Sequence, residues 1–173
     1  MKGILLLAGI FLFIDSNGQL WKEYADSAKI FQQSGKNDKA IEFYNKSRTE
    51  IEKDSTGTQS DALVSHNLAI LYRNVGQYKT AEPLFLAAIQ IRENLFGKEN
   101  LDYASTCNQL AILYVNMAQY EKAESLFLKV KQIREKIKKA KREAKNILKK
   151  VLMLSFYRLL KNKRYLVRVI LLL

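Results

Sequence analysis

The side chains that most often carry catalysis or bind metals are scarce in this chain. His66 and Cys107 are its single histidine and single cysteine, so no Cys/His cluster with metal-ligand spacing can form. The sequence also lacks a Gly-rich phosphate loop. Glu82 and Glu124 are candidate carboxylates, but they occupy equivalent positions of an internal repeat, which favours a structural over a catalytic role. These residues predict a protein that is not an enzyme and has no catalytic, metal or cofactor site.

His66 and Cys107 are expected to have ordinary structural roles. Cys107 lies three residues before Leu110 on the packing face of a predicted helix, which favours a small buried side chain over a reactive thiol. A lone histidine is more often a packed or surface residue than a ligand or a pH switch. A single cysteine cannot form an internal disulfide, so it does not indicate a redox compartment.

The strongest pattern in the sequence is a stretch that occurs twice, with an offset of 42 residues. Residues 68–72 and 110–114 both have the sequence LAILY, and residues 91–93 and 133–135 both have IRE. A weaker copy precedes them at an offset of 41, in which Tyr44 matches Phe85. A fixed period of this length is typical of stacked units that cannot bury their apolar faces alone.

Each unit is predicted to be a pair of helices joined by a short turn. Apolar residues follow helical spacing on both sides of Gly76, which can adopt the left-handed conformation that ends a helix. The small residues Ala69 and Ala81 allow the two helices to approach closely. In the next unit Ala118 replaces Gly76, so we expect that turn to be strained or reshaped.

The order of these residues resembles the tetratricopeptide repeat. The matching elements are Leu68-Ala69-x-Leu71-Tyr72, Gly76-x-Tyr78 and Ala81-Glu82-x-Leu84-Phe85, and the period of 42 resembles the kinesin-light-chain-like class. The resemblance implies an all-α fold, a right-handed α-solenoid of antiparallel helix pairs. Residues 19–135 would hold three units, at about 21–57, 61–102 and 103–135.

The resemblance also implies a concave groove, lined by the first helix of each unit, that binds a peptide or a partner protein. Amide side chains there can bond a peptide backbone, cations can meet carboxylates, and isoleucines can bury an apolar side chain. Asn108 matches an asparagine that the family places in the groove, whereas His66 replaces it in the middle unit. The candidate groove residues are Lys22, Lys29, Gln32, His66, Ile70, Arg73, Asn74, Asn108, Ile112 and Asn116.

The net charge of +12 is confined to the C-terminal part of the chain. Residues 1–135 hold 16 Lys and Arg against 16 Asp and Glu, whereas residues 136–173 hold 13 Lys and Arg against Glu143 alone. The repeats are therefore electrically mixed. Because the basic segment is rich in leucine and contains no recognised nucleic-acid module, nucleic acid is not a predicted partner.

The N-terminal residues have the layout of a secretory signal peptide. Lys2 precedes an apolar run from Ile4 to Ile14, and small residues follow, with a preferred cut after Gly18. Residues 1–18 are therefore predicted to be a signal peptide, and the protein to be secreted or periplasmic. The alternative is a buried N-terminal helix.

The basic, apolar tail at 136–173 has three interpretations. It could be an amphipathic helix on a membrane surface, a helix that caps the last repeat, or an out-of-frame continuation of a longer array. The leading functional hypothesis is a non-enzymatic scaffold that binds a protein or peptide in the groove. The alternatives are a membrane-surface adaptor and the N-terminal regulatory part of a larger protein with a caspase-like peptidase effector. The sequence leaves the oligomeric state open.

Overall fold

Helices make up all the regular structure that is described. A computed structural model of the chain describes residues 20–54 and 57–171, with side chains given for all of these except residues 54 and 162–170. The helices are α1 (Leu20–Gln33), α2 (Asn37–Asp54), α3 (Gln59–Asn74), α4 (Tyr78–Phe96), α5 (Leu101–Asn116) and α6 (Tyr120–Ile170). The predicted all-α repeat fold is confirmed. The proposed signal peptide at 1–18 lies outside the described residues.

Side-chain caps fix where the first helices of the second and third units begin. The Thr58 hydroxyl accepts a hydrogen bond from the Asp61 amide, 3.3 Å away, at the start of α3. The Asn100 side chain accepts bonds from the amides of Asp102 and Tyr103, at 2.7 and 3.2 Å, at the start of α5. Each cap satisfies amide groups that have no partner within the helix, which stabilises a helix start by about 1 kcal/mol.

The turn inside each unit is left-handed, with or without glycine. Gly76 has a φ of 79°, and Ala118 at the equivalent position has a φ of 57°. The same hydrogen bond follows both residues, from Gln77 to the Tyr72 carbonyl and from Gln119 to the Tyr114 carbonyl, each at 2.8 Å. The turn at Ala118 therefore has the same geometry as the glycine turn. Its backbone is strained, as the sequence predicts, because alanine has a positive φ there.

The helices of the repeats pack as successive pairs with a shared core. Contacts join α1 to α2, α3 to α4, and each pair to the next through α2–α3 and α4–α5, while α3 also contacts α5. Alanines such as Ala69 and Ala81 are fully buried, and Tyr44 and Phe85 fill the space around them. Close approach at small residues, with aromatic rings between helices, is the packing that the repeat pattern predicts.

Two compact units are distinguished, Met1–Ile133 and Arg134–Leu173. The described part of the first contains α1 to α5 and the beginning of α6. The second is helical to Ile170, and every described side chain from Lys138 to Lys161 is exposed. Among the described residues, none of the helices has the length and apolar character needed to cross a membrane. The three interpretations of this tail stay predictions.

Candidate peptide-binding surface

The predicted groove residues lie on α1, α3 and α5, the first helices of the three units. Nine of the ten have side chains that solvent can reach, and we call these nine the groove surface. Four are exposed and five are half-buried; they are Lys22, Lys29, Asn74 and Asn116 in the first group, and Gln32, Ile70, Arg73, Asn108 and Ile112 in the second. Whether they contact a partner stays a prediction.

Arg73 links two of the helices that carry the groove surface. Its Nη1 donates to Gln109 Oε1 on α5, 2.6 Å away, and its Nη2 donates to Asn74 Oδ1, 3.2 Å away. Burial lowers the pKa of Arg73 from its usual value, but an arginine stays charged under ordinary conditions. Because both acceptors are neutral amide oxygens, they leave the guanidinium charge without compensation. Arg73 can therefore still attract a carboxylate.

Gln109 is a part of this arrangement that the sequence did not indicate. It is half-buried and follows Asn108 directly, outside the stripe predicted from helical spacing. Its role depends on α3 and α5 being side by side, because the bond to Arg73 spans 36 residues of sequence. The pattern of polar residues within one helix does not predict a contact between side chains of two helices.

His66 is the one predicted groove residue that the structure places in the interior. Its side chain is only 9% exposed, its ring and that of Phe85 form a T-shaped pair with centroids 6.0 Å apart, and its Nδ1 lies 3.2 Å from Thr106 Oγ1. The expectation that His66 lines an open groove is therefore corrected. Helical spacing predicts which side of α3 carries His66. That side is covered by α4 and α5 once the units stack.

A buried polar cluster surrounds His66. Arg92 is 7% exposed and donates from Nη1 to the carbonyl oxygen of Asp102, 2.8 Å away, and to Thr106 Oγ1. The Thr106 hydroxyl has one proton to donate. It donates this proton to the Asp102 carbonyl oxygen, which is 2.9 Å away and closer than His66 Nδ1 at 3.2 Å. Its oxygen accepts an N–H bond from Arg92 and is in contact with His66 Nδ1. The side chains of Arg92, Thr106 and His66 thus each have at least one polar partner, which favours their burial.

The cluster keeps His66 neutral. Burial, followed by the positive charges of Arg92 and Arg73, lowers the pKa of His66 from 6.5 to about 4. A protonated imidazole would place a second positive charge beside a buried guanidinium, with little water to screen it. His66 is therefore a neutral side chain that links α3 to α5 through its contact with Thr106.

Cys107 is buried, as the sequence predicts. Its side chain is 1% exposed, and burial raises the pKa of its thiol despite the opposing influence of Lys129. A thiol with a raised pKa and no access to solvent is a poor nucleophile. Within residues 20–54 and 57–171, no group of three or more His, Cys, Asp or Glu side chains could hold a metal ion.

Two protein-family models, both described as tetratricopeptide repeat, match the chain at residues 60–136 and 24–47. Together they cover more than half of it. Comparison with curated proteins gives no significant match.

Several solved structures share the fold. The crystal structure of BtubC (BKLC) from P. vanneervenii has a TM-score of 0.68 at 23% identity, and the match covers 69% of this chain and 48% of BtubC. A putative kinesin light chain from Podospora anserina, with nearly identical TPR-like repeats, has a TM-score of 0.61 at 23% identity over 67% of this chain and 56% of its own. The chain thus spans about half of both proteins.

The second TPR of Spaghetti (RPAP3), solved with the HSP90 peptide SRMEEVD, is also similar. Its TM-score is 0.54 at 23% identity, over 68% of this chain and 95% of its own. These likenesses establish the fold, including its similarity to kinesin-light-chain-like repeats. With the repeated helix pairs and the two model matches, they show that the chain belongs to the tetratricopeptide repeat family.

Proposed function

We propose that this chain is a non-enzymatic scaffold that binds an extended peptide along the groove surface. The observation that carries the proposal is the repetition of binding groups at equivalent positions of α3 and α5. Ile70 and Asn74 on α3 recur as Ile112 and Asn116 on α5, and all four side chains are half-buried or exposed. Core packing does not require an amide at the ends of both helices, so recognition is the better explanation for this recurrence.

The spacing of these groups fits an extended chain. Helices in direct contact have axes about 8–10 Å apart, and α3 and α5 are in contact. An extended peptide advances about 3.3 Å per residue, so equivalent groups on the two helices would meet positions about three residues apart. Asparagine can donate to a peptide carbonyl and accept from a peptide amide, while the isoleucines can cover an apolar side chain between them.

The cations of the groove surface favour a peptide with carboxylates. Lys22 and Lys29 on α1 are exposed, and the two described acceptors of Arg73 are neutral. The similar repeat of Spaghetti is solved with a peptide, SRMEEVD, that carries three acidic side chains. We therefore propose an acidic, extended peptide as the ligand class.

The test is a selection of linear peptides from a display library against the full chain, followed by fluorescence anisotropy with each selected peptide. We expect acidic peptides to be enriched and Asn108→Ala with Asn116→Ala to weaken their binding about tenfold or more, because buried amide bonds to a backbone would be lost. The matched control is Asn94→Ala with Gln132→Ala, which removes two exposed amides outside the groove surface. Equal affinity of both double variants, with unchanged helical circular dichroism, would refute the proposed site.

The proposed location is secreted or periplasmic, on the strength of the N-terminal pattern at residues 1–18. Mass spectrometry of the protein recovered from the host's exported fraction tests this proposal. A new N-terminus at Gln19 would support it, and an intact Met1 in the cytosolic fraction would oppose it.

A second candidate function is attachment to an anionic membrane surface through the tail. Ile147, Leu148 and Leu152 are 58–62% exposed on a helix that also carries Lys145 and Lys149. Exposed apolar and basic residues on one helix suit the interface of an anionic bilayer. Flotation of the full chain with phosphatidylserine vesicles tests it. Loss of flotation in Lys145→Glu with Lys149→Glu would support the tail as the anchor, and no flotation of the unaltered chain would oppose it.

A further inference from the structure

The first helices of the three units differ in how their backward faces, those turned toward the preceding unit, are covered. On α5 Thr106 contacts Arg92 and His66 of the preceding unit, and Leu110 and Leu113 follow it on the same side of the helix. The equivalent residues of α3 are Val64, Leu68 and Leu71, and all six are at most 2% exposed. The equivalent residues of α1 are Glu23, Ser27 and Ile30. Glu23 is exposed, Ser27 is half-buried, and Ile30 is 65% exposed.

The second helices show the same contrast at their forward faces, those turned toward the following unit. Tyr44 on α2 and Phe85 on α4 are 1% and 0% exposed, in units where α2 contacts α3 and α4 contacts α5. The equivalent ring on α6, Phe127, is 37% exposed. A large aromatic ring that is buried in two copies of a repeat and open in the third marks an end at which the stack can continue.

The charges at the two ends are complementary. In the interior, Arg92 on the forward side of α4 donates to Thr106 on the backward face of α5. By the repeat offsets of 42 and 41, Arg134 stands at the position of Arg92 and Glu23 at the position of Thr106, and both are exposed. A contact between a cation and a neutral hydroxyl inside the array thus has an opposite-charge pair as its counterpart at the ends.

We propose that copies of this chain associate head to tail, with the backward face of α1 in one copy packed against Phe127 of another. In this arrangement Ile30 covers apolar surface as Leu71 and Leu113 do inside the array, and Arg134 of one copy pairs with Glu23 of the next. A second copy is the favoured occupant because α1 supplies both the exposed isoleucine and the acid that such a surface requires. The contact is heterologous, so it generates chains of copies and not a closed two-fold dimer.

Sedimentation velocity of the full chain over roughly a hundredfold range of concentration tests the proposal. We expect species larger than a dimer to appear with rising concentration. Glu23→Arg and Arg134→Glu should each weaken the association about tenfold or more, because each puts two like charges in the contact. The double variant, which restores an opposite-charge pair, should recover most of it. Glu121→Arg is the matched control, since Glu121 is exposed but stands at neither predicted contact.

The charge-reversal pair separates this contact from general aggregation through other exposed apolar residues. A full chain that stays monomeric at every concentration would overturn the proposal. Association that Glu23→Arg leaves unchanged, in a variant with unaltered circular dichroism, would overturn it as well. A stable two-fold dimer that does not grow further would also contradict the head-to-tail arrangement.

Discussion

The buried state of His66 makes stability depend on pH in a window set by its two pKa values. The pKa is about 4 in the folded protein and 6.5 for the ordinary, exposed side chain. At a pH between these values the unfolded chain binds a proton that the folded protein does not. Acidification therefore favours unfolding, and the stability present above about pH 6.5 is lost as the pH falls toward about 4. Since one pKa unit corresponds to 1.36 kcal/mol, the loss reaches about 2 kcal/mol near pH 5 and about 3 kcal/mol at the lower limit.

The variant His66→Asn isolates this effect, because asparagine is the residue at the equivalent position of α5 and does not titrate. Urea unfolding followed by circular dichroism at about pH 8 and about pH 5 gives the free energy of unfolding for both proteins. We expect the unaltered chain to lose about 2 kcal/mol more than the variant between the two conditions. Carboxylates contribute equally to both proteins, so their effect cancels in the difference. Equal losses would refute the neutral, buried state of His66.

Other predictions concern the turns, the two equivalent rings and the thiol. Ala118→Gly should raise the free energy of unfolding by about 1 kcal/mol, because glycine relieves the strain of the left-handed backbone, and Gly76→Ala should lower it by a similar amount. Urea unfolding in which Ala118→Gly lowers this free energy, or Gly76→Ala raises it, would contradict the turn argument. Phe85→Ala should cost about 3–5 kcal/mol and Phe127→Ala less than half as much, since only the first ring is fully buried; equal costs at low protein concentration would contradict the open end of the array. Cys107 should react with a coloured disulfide reagent only as fast as the protein opens, so immediate stoichiometric labelling in native buffer would contradict its burial.

The pairing of helices and the strained turn were predictable because they depend on local sequence that is repeated. The LAILY segments and the alanines that follow them specify two helices per unit, and α3 and α5 each span 16 residues with their caps in place. Ala118 was identifiable from one comparison with Gly76. Information of this kind lies within a few residues of the position that it concerns, so stacking the units does not change it.

The buried cluster could not be derived in the same way. Arg92 marked the repeat in the sequence, but its burial depends on Thr106, 14 residues further on, and on the packing of α5 against α4. A signal was nevertheless present at the junction between the first and second copies, where Ile51 and Val64 occupy the positions equivalent to Arg92 and Thr106. Two apolar equivalents indicate a buried interface. The exposure of His66 was mispredicted for the same reason, since helical spacing alone does not show which neighbour covers a face.

The central claim is that an extended peptide lies on α1, α3 and α5, and amide chemical-shift mapping of the full chain with a display-selected acidic peptide tests it most directly. We predict that the largest shifts fall on residues of the groove surface, with Asn74, Asn108 and Asn116 among them. The amides of α4 should change little. Shifts concentrated on α4 or on residues 136–161, with the groove surface unaffected, would contradict the claim.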